Sequence, residues 1–201
     1  TGLPDSGIRS LSLDDSNDNL YVAGSRGGVS VVNAQRWQAE PLAQHMVNYA
    51  KRVSDGSLWL ALEDGGVVRR TASSEQTFLE GVSTYHVLEL EGAVWIASSQ
   101  GLYRYNNGEV AKLKQVPDAI SGMVYKLAMD ANQQLLVGTE QGIWRQQNGR
   151  FELIHDDLKN ESVSAILVDY RGDIWLGTIN HGLFRVSEFG LEKLDANVGL
   201  P

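Results

Sequence analysis

A short phrase recurs five times along this 201-residue chain, and its recurrence constrains the fold more than any other feature. Each copy joins an apolar run to a glycine turn and a second apolar run, as in "IWLGTINHGLFRV" near the end of the chain. One glycine opens the second run of every copy, at steps of 38, 35, 41 and 40 residues. These landmark glycines are Gly28, Gly66, Gly101, Gly142 and Gly182. A period of about forty residues is typical of solenoids, propellers and arrays.

Two other positions keep the same period. A large apolar residue precedes each landmark glycine, and the five are Tyr21, Trp59, Trp95, Leu136 and Trp175. Because they recur at equivalent positions, we interpret them as packing between repeats rather than as ligand contacts. An arginine also follows four of the glycines by three residues, at Arg69, Arg104, Arg145 and Arg185. We expect these arginines on a solvated strand face, with their stems covering aromatic surface.

Each repeat divides into four short segments that are rich in β-branched and aromatic residues and are separated by turns. In two repeats, Asn107-Gly108 and Asn148-Gly149 supply the positive φ angles of a type I′ hairpin turn. Since no segment shows helical periodicity, we predict an all-β chain, a β-propeller of five four-stranded blades. The predicted blades are 5–44, 45–80, 81–120, 121–160 and 161–198. The predicted second strands are 20–24, 58–62, 94–98, 135–139 and 174–178.

The composition excludes several classes of protein. Hydrophobic residues make up 42% and charged residues 21% of the chain, which is typical of a globular domain and not of a disordered one. The net charge of -8 opposes binding to nucleic acid, because its phosphates would be repelled. The chain has no cysteine, so disulfides and thiolate chemistry are excluded. No apolar run approaches the roughly 20 residues of a membrane helix.

The sequence contains no recognisable catalytic or metal-binding constellation. The four histidines lie far apart, and no G-x-S-x-G nucleophile motif is present. The stretch "DDSNDN" at 14–19 alternates oxygen ligands as a calcium loop does, but it lacks the required glycine and the closing glutamate. We interpret it as a polar hairpin turn. The chain is therefore predicted to be non-catalytic, with no metal and no cofactor.

The predicted topology gathers polar residues on one side of the blades. In a four-stranded meander, the turn between the second and third strands lies on the same side as the link that enters the next blade. Tyrosine, histidine, asparagine and lysine are concentrated at these places, which suits a small polar ligand such as a sugar. The candidate ligand-binding residues are Arg26, His45, Asn48, Tyr49, Asp64, Tyr85, Gln100, Tyr125, Lys126, Gln141 and His181. His86 aligns with Leu127 and Ile166 and is predicted to lie in the core.

The fifth repeat resembles the two-component regulator propeller repeat. The resemblance rests on "GDIWLGTINHGLFRV" and on an upstream V-x-x-I-x-x-D segment formed by Val163, Ile166 and Asp169. It covers nearly the whole chain, although the first two repeats replace the usual "GT-x-x-GL". It implies a non-catalytic, extracytoplasmic domain that senses a ligand or a partner protein for a membrane-bound histidine kinase, hybrid kinase or diguanylate cyclase. A lyase similar to the streptogramin lyases, or a pure protein-interaction platform, is the alternative.

The same tripeptide stands near both ends of the chain. "GLP" stands at 2–4 and again at 199–201, where a sixth repeat would begin. We therefore expect the parent protein to continue beyond Pro201 and the five blades to be part of a larger propeller. In such an open arc, the first and last blades each expose an apolar face, and we expect the isolated chain to self-associate through these faces.

Overall fold

The computed structural model describes residues 7–14, 18–26, 28–33, 36–40 and 46–194, with side chains for all of these except 33 and 36–40. These residues form five four-stranded sheets, and strands that are consecutive in the chain are neighbours in each sheet. Within the described residues, helix is limited to one turn, α1 (Asp118–Ser121), and a 3-10 turn at Asp156–Leu158. The chain is all-β with five propeller blades, which confirms the predicted fold class.

The strands are short and evenly spaced along the chain. The first sheet contains β1 (Ile8–Asp14), β2 (Asn19–Gly24), β3 (Val29–Asn33) and β4 (Arg36–Glu40). The second contains β5 (Val47–Arg52), β6 (Leu58–Leu62), β7 (Gly66–Arg70) and β8 (Glu75–Phe78). The third contains β9 (Thr84–Leu90), β10 (Ala93–Ser98), β11 (Gly101–Asn106) and β12 (Glu109–Lys112). The fourth contains β13 (Val124–Met129), β14 (Leu135–Thr139), β15 (Gly142–Gln147) and β16 (Arg150–Leu153). The fifth contains β17 (Val163–Val168), β18 (Ile174–Thr178), β19 (Leu183–Ser187) and β20 (Gly190–Leu194).

The chain divides into two compact units, and the division runs through the third sheet. The first unit comprises the residues up to 98 together with 105–110, and the second comprises 99–104 together with the residues from 111 onward. In the first unit β5 contacts both β1 and β9, and in the second unit β13 contacts β17. First strands of consecutive sheets thus lie side by side within each unit.

In the second sheet the recurring aromatic residue packs between sheets, as predicted. Trp59 on β6 is fully buried, and its ring centroid lies 4.8 Å from that of Tyr105 on β11 in an edge-on arrangement. Phe78 on β8 stacks on Trp59 with ring centroids 6.1 Å apart, and it also contacts Tyr105. In the second unit, Leu136 takes the equivalent position and is also fully buried. Such aromatic pairs contribute about 0.5–1.5 kcal/mol beyond the burial of their area.

The recurring arginines differ from the prediction of a solvated strand face. Three of them are less than 40% exposed, and each binds an aspartate near the turn between the first two strands of its own sheet. The pairs are Arg69–Asp55, Arg145–Asp130 and Arg185–Asp173, with N···O distances of 2.8, 2.9 and 2.6 Å. The aromatic part of the prediction is correct for two of them, because Arg69 lies over Tyr105 and Arg185 over Trp175. The arginine therefore ties the first hairpin to the third strand.

The turns have the predicted chemistry. Asn107 and Gly108 have φ angles of 50° and 92°, and Asn148 and Gly149 have 51° and 76°. All five landmark glycines also have positive φ, and Gly66 is additionally crowded. A Cβ atom on Gly66 would lie 2.1 Å from the carbonyl oxygen of Phe78, which no real side chain could tolerate.

The crowding at Gly66 can be separated from its positive φ by a matched pair of substitutions. Gly66→Ala should lower the free energy of unfolding by several kcal/mol, because the new methyl group meets backbone that cannot move away. Gly56→Ala, at a similar φ of 81° but with no atom within 4 Å of the added Cβ, should cost only about 1 kcal/mol. Urea unfolding of both variants measures the difference. Equal losses would show that φ alone requires the glycine.

Candidate functional site

One end of each sheet carries both the turn between its second and third strands and the link into its first strand; we call this end the linker face. Backbone hydrogen bonds hold these segments together. In the first unit, the N–H of Glu63 donates to Met46 O at 2.9 Å and the N–H of Gly66 donates to Val82 O at 2.9 Å. The turn of one sheet is thereby bonded both to its own first strand and to the link into the next sheet.

The second unit repeats this pattern of bonds. The N–H of Ile179 donates to Ser162 O at 3.0 Å, and the N–H of Gly142 donates to Glu161 O at 2.8 Å. The topological expectation, that these turns and links share one end of the sheets, is therefore correct within each unit. The opposite end carries the first–second and third–fourth turns, and we call it the hairpin face.

Every first strand is interrupted by a β-bulge close to the linker face. The pairing between first and second strands skips one residue of the first strand at the same place in all five sheets. The skipped residues are Arg9, Asn48, Tyr85, Tyr125 and Ser164. A bulge residue lies outside the regular ladder, so its side chain is re-aimed, and bulges are common beside functional sites. Three of the five were candidate ligand-binding residues.

The bulge residue of the second sheet belongs to a polar cluster in the first unit. The amide nitrogen of Asn48 donates to a carboxylate oxygen of Glu63 at 2.8 Å and to Thr84 O at 2.9 Å. The hydroxyl of Ser83 donates to a carboxylate oxygen of Asp64 at 2.7 Å and is 3.2 Å from Glu63. A carboxylate, an amide and a hydroxyl are thus held in fixed positions at this part of the linker face.

Tyr49 follows the bulge and takes a different role. Its ring centroid lies 3.9 Å from that of His86, which occupies the equivalent position on β9. His86 is 5% exposed, so the prediction that it lies in the core is correct. The alignment behind that prediction is wrong, because the strand registers place Val87, and not His86, in line with Leu127 and Ile166. Tyr49 is half-buried and packs against this core histidine, next to Asn48 on the linker face.

The second unit pairs a bulge residue with an acidic residue in the same way. The phenol of Tyr125 lies 3.5 Å from a carboxylate oxygen of Glu140, which directly follows β14 just as Glu63 directly follows β6. Beside them, a carboxylate oxygen of Glu161 is 2.7 Å from the Nδ1 atom of His181, and His181 is exposed. Hydrogen-bonding groups therefore also line the linker face of this unit.

Lys126 follows the bulge of the fourth sheet and is half-buried. Burial in the protein lowers the pKa of Lys126 from 10.5 to about 8, because the charged ammonium group is deprived of water. The lysine can therefore lose its proton close to physiological pH. Its side chain then changes from a charged hydrogen-bond donor to a neutral amine that can also accept a hydrogen bond.

The remaining candidates occupy simpler positions. Arg26, Gln100 and Gln141 are exposed residues of second–third turns, and no more than their place on the linker face links them to a ligand. His45 lies outside the described residues, as do residues 15–17 of the segment that was compared with a calcium loop.

Sequence reasoning missed the acidic partners of the bulge residues. Glu63 and Glu140 occupy the same place, one residue after the second strand and before the landmark glycine, and this shared position was a usable signal. Arg9 and Ser164 were missed because a bulge is a feature of hydrogen-bond register, which a single sequence does not display.

Neither a metal-binding cluster nor a membrane-spanning helix is found among the described residues. No group of three or more histidine or acidic side chains in that part of the chain is arranged to hold a metal ion. Among its helices, none has the length and apolar character needed to cross a membrane.

Five four-stranded meanders with these links define a β-propeller domain. Its fifth sheet allows a closer assignment, because residues 157–180 match the family model described as "Two component regulator propeller". The resemblance read from the sequence is therefore confirmed for that part of the chain. No curated protein sequence matches the chain.

Solved structures share the fold. The extracellular domain of BT3049 from B. thetaiotaomicron, assigned to the hybrid two component systems, has a TM-score of 0.78 at 17% identity over 99% of this chain and 30% of its own. A catalytically inactive virginiamycin B lyase from Staphylococcus aureus has a TM-score of 0.76 at 16% identity, and the match covers 100% of this chain and 74% of the lyase. PorZ from Porphyromonas gingivalis, a surface component of the type-IX secretion system, has a TM-score of 0.70 at 14% identity. The match covers 94% of this chain and 34% of PorZ. The chain thus spans about a third of two of these proteins.

The low pKa of Lys126 predicts a pH-dependent cost to stability. Because the folded pKa lies below the unfolded value, the penalty is fully present below about pH 8 and is relieved as the pH rises toward 10.5. Lys126→Met should therefore raise the free energy of unfolding at pH 7 by about 1–2 kcal/mol, and by less at pH 10. Urea unfolding at the two pH values measures this, with the exposed Lys114→Met as the control. A gain that does not depend on pH would contradict the assignment.

Proposed function

We propose that this chain is a non-catalytic ligand-sensing domain of a membrane-bound bacterial signalling protein, and that its ligand contacts the bulge residues on the linker face. The observation that carries the proposal is the bulge in every first strand, combined with fixed hydrogen-bonding partners for Asn48 and Tyr125. The regulator propeller repeat and the extracellular domains among the structural neighbours support a sensing role outside the cytoplasm.

The chemistry of the linker face favours a neutral polar ligand such as a sugar. Amide, phenol, hydroxyl and carboxylate groups offer both donors and acceptors, and half-buried tyrosine rings offer apolar contact beside them. The carboxylates of Glu63, Glu140 and Glu161 disfavour anions, and they disfavour nucleic acid on the same ground. A partner protein that presents hydroxyl and amide groups is the alternative occupant.

Removing the bulge side chains should weaken binding without unfolding the protein. A panel of neutral mono- and oligosaccharides is first tested on the chain by thermal shift. For the best ligand, Asn48→Ala and Tyr125→Phe should each weaken binding by about 5- to 50-fold, because each removes a side-chain group that hydrogen-bonds the ligand. Calorimetry measures the affinities.

Two matched variants on the hairpin face serve as controls. Asn132→Ala and Tyr170→Phe remove the same chemical groups from exposed positions at the other end of their sheets and should leave affinity unchanged. Equal loss in controls and test variants would argue against a site on the linker face. Consumption of quinupristin by the chain would instead favour the lyase alternative.

We also propose that the isolated chain self-associates through its terminal sheets. Leu11 on β1 is 59% exposed, whereas the residues at the equivalent position of the other four sheets are buried. These four residues are Ala50, Val87, Leu127 and Ile166. Leu13 on β1 is 60% exposed, and Leu167 on β17 is 65% exposed. A propeller blade normally covers such residues, so we expect a second copy to cover them here.

Light scattering on the purified chain tests this. The wild type should show a concentration-dependent increase in mass, and a Leu11→Ser/Leu13→Ser variant should remain monomeric because its exposed apolar area is smaller. Leu167→Ser tests the other terminal sheet in the same way. A strictly monomeric wild type at high concentration would refute self-association and leave the ligand proposal untouched.

A further inference from the structure

The space between the second and third sheets is filled by three aromatic rings and one guanidinium group. Trp59, Phe78 and Tyr105 contact one another, with ring centroids 4.8–6.1 Å apart. The guanidinium carbon of Arg69 lies 5.6 Å from the centre of the Tyr105 ring. Tyr105 is thus placed between an arginine and two aromatic residues, which is a favourable environment for a planar ring.

The strand registers identify the equivalent positions in the fourth and fifth sheets. Leu136 pairs with Arg145 as Trp59 pairs with Arg69, so Leu136 takes the place of Trp59. Ile154 is bonded to Ile143 where Phe78 pairs with Val67. Val186 directly follows the recurring arginine, as Tyr105 does. All three aromatic rings are therefore replaced by smaller aliphatic side chains, which pack in one apolar cluster of the second unit.

A cavity of about 490 Å³ lies where these rings are missing. The apolar part of its lining is formed by Ile154, Ile174, Val186 and Phe189. Arg145, the counterpart of Arg69, lies on its wall. A volume of this size is in the range of small-molecule sites. The cavity opens on the hairpin face, beside the first–second and third–fourth turns of the fifth sheet, so it is separate from the residues on the linker face.

The polar part of the cavity favours an anionic group. Three arginines and two acidic residues line it. Arg145 is paired with Asp130, and Arg185 donates two hydrogen bonds to Asp173 at 2.6 and 2.9 Å. Arg171 is different: within the described residues its guanidinium has no carboxylate within 4.0 Å and donates instead to the hydroxyl of Tyr170. Its charge is available to a ligand at the mouth of the cavity.

We propose that this cavity binds a small planar aromatic carboxylate. The ring of the ligand lies between the fourth and fifth sheets, at the position equivalent to that of Tyr105 between the second and third. There it contacts Ile154 and Val186 and lies beneath the Arg145 guanidinium. Its carboxylate pairs with Arg171. The site goes beyond the sensing role proposed for the linker face and does not depend on it.

The probe is 4-hydroxyphenylacetate, which carries the side chain of tyrosine and a carboxylate. Calorimetry and NMR titration of the full chain should show one site with a dissociation constant near or below about 1 mM, as expected for a ligand of this size in a half-open pocket. Cyclohexylacetate, which has no aromatic face, should bind about fivefold more weakly or worse, because it cannot interact with the arginine through a π system.

Filling the cavity should abolish binding. Val186→Tyr gives the fifth sheet a tyrosine at the position equivalent to Tyr105 of the third sheet. It should weaken binding at least about tenfold, because the new side chain occupies the part of the cavity meant for the ligand ring. Gln147→Tyr adds the same ring at an exposed position and is the control. If Val186→Tyr does not fold, Ile154→Phe, which restores the ring that Phe78 supplies, gives the same test.

The charge is tested separately. Arg171→Gln should weaken binding of 4-hydroxyphenylacetate about fivefold or more and leave binding of the uncharged p-cresol unchanged. The proposal is overturned if no binding is detected at a probe concentration about fivefold above 1 mM. It is also overturned if a folded Val186→Tyr variant binds the probe as tightly as the wild type. Asn48→Ala should not affect this binding, so failure here and failure of the linker-face proposal are distinguishable.

Discussion

The close backbone approach at the landmark glycines is the constraint on which the rest of the structure depends. Gly66 donates its N–H to Val82, and Gly142 donates its N–H to Glu161, so the turn of one sheet holds the start of the next. Only glycine fits at Gly66, because φ is positive and the neighbouring carbonyl groups leave no room for a Cβ atom. This bond sets the spacing of the repeats, the direction of each link and the shared location of the links and turns.

The sequence predicted the scaffold well, because burial and turn chemistry both leave local marks. The five predicted second strands agree with β2, β6, β10, β14 and β18 to within one residue at each end, since each is an almost continuous apolar run. Asn107 and Asn148 marked hairpins because few other residues tolerate positive φ. Trp59 was recognised as a packing residue from its recurrence alone.

The candidate site was predicted only in part. Asn48, Tyr85 and Tyr125 were identified because polar side chains stood where strands begin, but the bulge that places them depends on pairing with another strand. The Arg–Asp pairs were missed for a related reason. Arg185 and Asp173 are twelve residues apart, and only the register of β18 and β19 shows that they meet. Properties that arise from pairing across a sheet are not legible in a linear pattern.

The bulges have a consequence for how such a domain can change over time. Three of the residues that precede them, Val47, Val124 and Val163, are buried valines, and Thr84 before Tyr85 is buried as well, whereas Ile8 before Arg9 is 43% exposed. The bulge residues themselves range from arginine and asparagine to tyrosine and serine. Because a bulge residue lies outside the ladder, its replacement disturbs little of the hydrogen bonding that holds the sheet. These positions can therefore vary without loss of the backbone hydrogen bonds of the ladder. A lineage of such domains could acquire new recognition by drift at these positions, without passing through unfolded intermediates.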